Sequence, residues 1–250
     1  MSLIKHLLIL SFILLILTSC EDNKKASADK DSQSVVMRKS KTEIVDDTIS
    51  GKSITETKLF SEEKKYPKIT QENVVEFLTK YGLDNPETKV RISTLYGNID
   101  ILLFKETPLH RANFIYLVKQ HYFDITFFHR VVPNFIIQGG NSDNRSTSVK
   151  RSKIGKDYLL PAEINHNRKH RFGSISGAKE YRKNPDNKSF PFEFFIFLGP
   201  LEHTRHLNGD YTIFGKVTNG MDIVEKIANL PADKGDWPLD NVYIKAEIIE

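Results

Sequence analysis

One cysteine, one tryptophan and three methionines among 250 residues leave several kinds of chemistry without material. Cys20 has no second cysteine to meet, so no intramolecular disulfide forms and no cysteine cluster for zinc or iron–sulfur exists. Charge of one sign is scarce too. The 36 Lys+Arg stand against 32 Asp+Glu, and a net +4 is too mild to argue for a nucleic-acid partner. The long apolar run, Leu7 to Leu17, is too short and too lopsided for a stable membrane span. No internal repeat is evident.

That run follows Lys5, the one charged group in the first twenty residues, and reads as a secretory signal over residues 1–19. Leu17-Thr18-Ser19-Cys20 resembles the lipobox of bacterial lipoproteins, which implies that Cys20 is lipidated on sulfur and becomes the mature N-terminus. Each buried methylene of an acyl chain contributes about 0.8 kcal/mol. The expectation is an exported chain, lipid-anchored to the bacterial cell envelope on its periplasmic or outer-membrane side. Residues 20–57, rich in Lys, Asp, Ser, Thr and Glu, bury too little apolar surface to offset their ordering entropy and read as a flexible tether. Residues 58–87 read as a short helical or linker extension. There Thr70 is a candidate N-cap ahead of Val74, Val75, Phe77 and Leu78, and Tyr81-Gly82 a candidate end.

Residues 88–250 carry the main body. Val90, Ile92 and Thr94 alternate, Tyr96-Gly97-Asn98 makes a turn, and Ile99 to Phe104 returns, so a hairpin is predicted. Thr107-Pro108 predicts a helix with Thr107 as N-cap, carrying Phe114, Leu117, Val118 and Tyr122 on one buried face. Short apolar runs follow at 126–128, 135–137, 172–175, 194–198 and 211–214, then a second helix at 221–230 and a last strand at 242–249. Many short strands with two helices argue for a closed β-barrel or a sandwich, a mainly β fold.

The informative stretch runs from Phe128 to Gly140, where Arg130 and Gln138 are interleaved with large apolar residues. An unpaired guanidinium is costly in a core, so Arg130 belongs at the rim of an apolar pocket with its fork aimed at a ligand. Phe128-His129-Arg130, Pro133, Phe135 and Gln138-Gly139-Gly140 together resemble the cyclophilin family of peptidyl-prolyl cis/trans isomerases. So do Pro108 with Asn113-Phe114, Pro161-Ala162-Glu163, the 173–178 segment, Phe194-Phe195-Ile196, and Phe214 to Val217 with Gly220-Met221. The resemblance covers the body from about residue 88 to the end. It implies an eight-stranded antiparallel β-barrel capped by two α-helices, acting on X–Pro bonds without cofactor or metal.

The resemblance also assigns residues. Arg130 takes the catalytic position. Phe135, Ile136, Phe195 and Leu207 map to the slot for the proline ring, and Gln138 to the glutamine that bonds substrate backbone. His129 shapes the site, Ala178 and Lys179 fall where main chain meets the peptide before proline, and Tyr211 stands where many members have histidine. Two departures stand out. Glu193 replaces a glutamine, and an ionised carboxylate only accepts hydrogen bonds; near Arg130 it would either clamp or orient that arginine. His206 replaces the tryptophan of cyclosporin-sensitive members, which implies weak cyclosporin binding. The 179–191 segment also departs in length and character from compact members.

Other signals have plainer readings. His166 and His170 have an H-x-x-x-H spacing, but no third ligand is apparent, and no metal is expected. Lys150, Arg151, Lys153 and Lys156 read as a solvated basic face. The expected partners are proline-containing exported polypeptides and, through the lipid, a membrane; no nucleic acid is expected, and the chain is expected to be a monomer. A proline-peptide binding module or holdase chaperone with weak or lost isomerase activity is the alternative, motivated by Glu193 and His206.

Overall fold

A computed structural model describes residues 66–250. The expected signal, Cys20, the tether and the first part of the extension lie outside the described residues.

The extension carries helix α1 (Val74–Asp84). It begins after Thr70 and runs past Tyr81-Gly82, a difference with a physical cause. Arg111, from the next helix, donates through Nη2 to the Gly82 carbonyl at 2.8 Å and through Nη1 to the Asn85 carbonyl at 2.7 Å, so chain ends that would otherwise fray are held. Helix α2 (Pro108–Lys119) starts at the expected place with Pro108 in its first turn. It is buried on more than one face, because α1 packs on the side that the sequence pattern left open. Tyr66, Phe77 and Tyr81 close over Tyr116 there, with ring centroids 5.1–5.4 Å from it.

Thr107 occupies the N-cap position, yet its hydroxyl donates to the Phe104 carbonyl instead of capping α2. The cap comes from Glu163, whose carboxylate accepts the Leu109 and His110 N–H groups, each at 2.9 Å. Two orphan donors and the positive end of the helix dipole thus meet one anion.

The strands are β1 (Lys89–Thr94), β2 (Gly97–Leu103), β3 (Phe127–Val132), β4 (Ile136–Asn141), β5 (Ser174–Gly177), β6 (Phe194–Phe197), β7 (Ile213–Asn219), β8 (Val242–Tyr243) and β9 (Lys245–Ile248). All pair antiparallel, in the order β8-β3-β4-β6-β5-β7-β2-β1-β9. The two ends of that order are neighbours in sequence: β8 pairs with β3, β9 pairs with β1, and only Ile244 separates them. The final stretch therefore joins both edges of the sheet and closes it into a barrel. The expected count of eight strands becomes nine because this last strand breaks at Ile244, whose N–H turns to the Thr126 carbonyl at 3.0 Å.

Four α-helices stand among the described residues: α1, expected in the extension, α2 and α4 (Met221–Ala228), the two expected on the barrel, and α3 (Arg145–Ile154), which was not expected. α3 was invisible to apolar periodicity, since its segment is nearly all Arg, Lys, Ser and Thr and buries only Thr147 and Ile154.

Inside the barrel sits the main core, with Val90, Ile92, Ile99, Ile101, Phe128, Ile137, Phe194 and Ile196 among its members. A second apolar cluster lies apart from it: Ile136, Phe195, Phe197 and Leu207, with Val132, Phe135 and Tyr211 against them. Strand periodicity explains the division. Phe194 and Ile196 point inward while Phe195 and Phe197 point outward, and on β4 Ile137 points inward and Ile136 outward.

Candidate active site

The pairing of β3 with β4 shifts register between Phe127 and Arg130. Strict alternation would give Phe128 and Arg130 the same face. The irregularity lets Phe128 and Val131 both enter the core, while Arg130 emerges on the outer face beside the second cluster. Beyond it the ladder is regular: Arg130 lies opposite Gln138, and Val132 opposite Ile136. Gln138 lies opposite Phe195, and Phe195 opposite Ser176. One cross-strand row thus carries the guanidinium, the amide and the pocket phenylalanine.

The apolar slot named from sequence is assembled on this face, where Ile136, Phe195 and Leu207 are buried and Phe135 and Tyr211 are half-buried. The Phe195 and Tyr211 rings meet edge-on at 5.6 Å. Behind Phe195 lies His170, its ring stacked at 6.0 Å and an interplanar angle of 8°. Its Nδ1 is bonded to Asn208 Oδ1 and its Nε2 to Ser176 Oγ, both at 2.9 Å, so neither nitrogen is left for a ligand. Burial, partly offset by the Asn208 bond, pushes its pKa down, so it is a neutral prop for the pocket floor.

Glu193 does not touch Arg130. It sits just before β6, largely buried, and Gln138 Nε2 donates to its Oε2 at 3.0 Å. His129 Nε2 is 3.6 Å from the same oxygen, and Arg151 Nη2 lies 3.5 Å from Oε1. Burial pushes the Glu193 carboxyl up, but His129, Arg151 and the Gln138 amide outweigh it and hold the group below the usual carboxylate range. Because the carboxylate only accepts, the Gln138 NH2 must face it. His129 is buried, and its Nδ1 has no hydrogen-bond partner among the described residues.

Arg151 corrects the reading of a solvated basic face. Its Nε donates to the Tyr122 hydroxyl at 2.7 Å and its Nη2 to the Gly140 carbonyl at 3.1 Å. Its guanidinium carbon lies 5.1 Å from the Phe192 ring centroid. Gly140 has to be glycine: at φ +97 a Cβ would lie 2.0 Å from the Phe192 carbonyl oxygen. Asn113 serves the same wall, donating to the Pro191 carbonyl at 2.7 Å and accepting from the Tyr158 hydroxyl at 2.8 Å.

The partner of Arg130 is a residue that sequence reasoning did not single out. Arg130 Nε donates to Asp236 Oδ2 at 3.2 Å, and Nη2 lies 3.2 Å from the same oxygen. Asp236 belongs to a turn in the 233–237 segment, and 106 residues separate it from Arg130. Ala178 is buried, its N–H donating to the Glu193 carbonyl at 3.3 Å and its own carbonyl accepting the Phe190 N–H at 2.7 Å. Lys179 Nζ lies 4.7 Å over the Tyr211 ring and donates to Asn187 Oδ1. Burial lowers the Lys179 pKa, with Asp210 opposing, and burial raises that of Tyr211, with Tyr181 and Asp210 adding to the rise. His206 is exposed, its ring 5.9 Å from Phe135.

The arrangement can grip a compact apolar ring in a dry slot and aim fixed N–H donors along its rim.

Residues 89–248 match the family model described as cyclophilin type peptidyl-prolyl cis-trans isomerase/CLD. A peptidyl-prolyl cis-trans isomerase of Acinetobacter baylyi is 33% identical over 145 residues, covering 58% of this chain and 73% of that protein. A peptidyl-prolyl cis-trans isomerase-like 2 protein of Rhizopus delemar is 35% identical over 156 residues; that match spans 62% of this chain but only 27% of the longer relative. Among solved structures, a cyclophilin-type isomerase of Cryptosporidium parvum superposes with a TM-score of 0.55 at 32% identity, covering 66% of this chain and 98% of that one.

Proposed function

The chain belongs to the cyclophilin-type peptidyl-prolyl cis-trans isomerase family, and from that membership we propose that it speeds X–Pro rotation in exported polypeptides, using Arg130 on the prolyl nitrogen. The barrier to that rotation is about 18–20 kcal/mol because the amide is conjugated, and uncatalysed exchange takes tens to hundreds of seconds. Twisting the bond turns a flat, delocalised nitrogen into a pyramidal one with a lone pair. A donor that meets the lone pair binds the twisted state better than the flat one, and this difference is the catalysis.

The observation that carries the reading is the cross-strand row. Arg130 and Gln138 face each other beside the cluster of Ile136, Phe195 and Leu207. The slot takes the proline ring, the Gln138 carbonyl oxygen accepts from substrate backbone, and the N–H groups of Arg130 that Asp236 leaves free reach the nitrogen. Arginine stays charged at any working pH, so the rate does not titrate through it. The reading extends to location: lipid on Cys20 holds the domain at the cell envelope, where slow proline steps limit the folding of exported chains.

The test uses the full chain and X–Pro peptides, with exchange followed by NMR line broadening. Arg130→Ala is expected to cut isomerisation at least about tenfold with the fold intact by circular dichroism. An alanine variant as active as the parent would remove Arg130 from the mechanism. Saturable peptide binding without catalysis by the parent would favour the chaperone reading. Cys20→Ser is expected to abolish palmitate labelling and membrane retention; a labelled variant would overturn the anchor.

A further inference from the structure

We propose that Asp236 is a positioning residue: its carboxylate aims the Arg130 guanidinium, so that the unpaired Nη1 end is the donor presented to the prolyl nitrogen. This rests on the isomerase reading and adds to it the group that sets the arginine's orientation.

Arg130 is a long side chain, 40% exposed, on the outer face of a strand. Left alone it samples many rotamers, and a donor that must meet a briefly formed lone pair loses much of its value when unaimed. Asp236 takes the Nε–H at 3.2 Å and lies 3.2 Å from Nη2, which fixes the plane of the fork and leaves Nη1 outward. With Asp236 itself 42% exposed, the pair is of the surface kind that adds little to folding stability. Its geometry therefore calls for another reason.

The segment around Asp236 is built to hold that carboxylate in place. The Asp236 carbonyl accepts the Val131 N–H at 2.8 Å, so acid and arginine hang from a shared contact on β3. Asp233 Oδ1 accepts the Gly235 N–H at 2.7 Å and the Trp237 N–H at 3.0 Å, and the Asp236 N–H donates to the Asp233 carbonyl at 3.1 Å. Trp237, the chain's one tryptophan, closes the turn with its ring 5.5 Å from Phe127 and 5.8 Å from His129. Asp236 adopts φ +65, a left-handed conformation that glycine takes freely and other residues at a cost. Where the backbone alone would favour glycine, the chain carries an acid that reaches the arginine.

The left-handed backbone supplies the test. Asp236→Gly suits φ +65, so it keeps the turn and removes only the carboxylate; Asp236→Asn keeps an acceptor oxygen without the charge. Both are made in the full chain and assayed on Ala-Pro and Leu-Pro peptides beside the parent and Arg130→Ala. Asp236→Gly is expected to lower kcat about fivefold or more with KM within about twofold and an unchanged thermal midpoint, and Asp236→Asn to restore at least half of the loss. An Asp236→Gly variant with parental or higher kcat overturns the proposal while leaving the isomerase reading standing. Equal falls in thermal midpoint for both variants, with KM raised, would make Asp236 a scaffold for the loop and overturn it as well. A parent no faster than Arg130→Ala would overturn the isomerase reading, and this proposal with it.

Discussion

Gln138 donates through Nε2 to Glu193 Oε2 at 3.0 Å, and that bond decides which way the Gln138 amide faces. The Glu193 carboxylate has Arg151 Nη2 3.5 Å away on one side and His129 Nε2 3.6 Å away on the other, and it makes no contact with Arg130.

Glu193→Gln is therefore expected to keep peptide isomerisation within about threefold of the parent, since the shape and one acceptor survive. Arg151→Met leaves a buried carboxylate short of a cation and is expected to cost about 2 kcal/mol in urea unfolding, less than a fully buried pair. In the Glu193→Gln background the same change is expected to cost at least about 1 kcal/mol less, the mark of coupled groups. Additive losses would show that Arg151 acts through Tyr122 and Gly140 alone. A steep rise in activity on Glu193→Gln would make the acid a brake and support the chaperone reading.

Acid is expected to destabilise the fold in two stages. His170 has a folded pKa below its ordinary 6.5, so its contribution is complete above 6.5 and declines as pH falls and the unfolded chain takes up a proton that the folded one refuses. Glu193 has a folded pKa below its ordinary 4.5, so its contribution is present above 4.5 and is lost as pH falls toward the depressed value. Urea midpoints measured from pH 8 to about pH 3 should be level at first, decline below pH 6.5, and fall again below pH 4.5. His170→Gln should remove the first decline; a midpoint unchanged between pH 7 and pH 5 in the parent would refute its assignment as a neutral prop.

Glu163 caps α2 from 53 residues away in sequence. Glu163→Ala is expected to lower stability by about 1–2 kcal/mol, and Thr107→Ala by less, because the threonine hydroxyl does not cap the helix. Thermal unfolding of the two variants distinguishes them, and an equal loss would return the cap to Thr107. Activity per folded molecule should be unchanged in both.

Much of this site was legible along the chain because strands write their faces at a period of two. Ile136 and Gln138, two apart, share one face by spacing alone, and Phe195 faces away from Phe194 and Ile196. What stayed hidden lacked a local mark. A register shift between Phe127 and Arg130 leaves no trace in composition, so the reason that Phe128 goes inward and Arg130 outward appears only with the partner strand. α3 carries too few apolar residues to show a stripe, and its Arg151 looked like its charged neighbours. Asp236 sits among glycine, lysine and aspartate in what reads as an ordinary turn, far along the chain from the arginine it meets.

The closure of the barrel by residues 242–248 imposes an order of events on the chain's own birth. β1 is written near residue 90 but keeps an open edge until β9 exists, and β3 waits likewise for β8. The barrel therefore closes only once residues 242–248 have been made. Contacts of such long range are slow to form, and a chain cut short after Asp240 would carry two bare edges ready to pair with another copy. The six paired positions of β8 and β9 thus act as a clasp on the barrel.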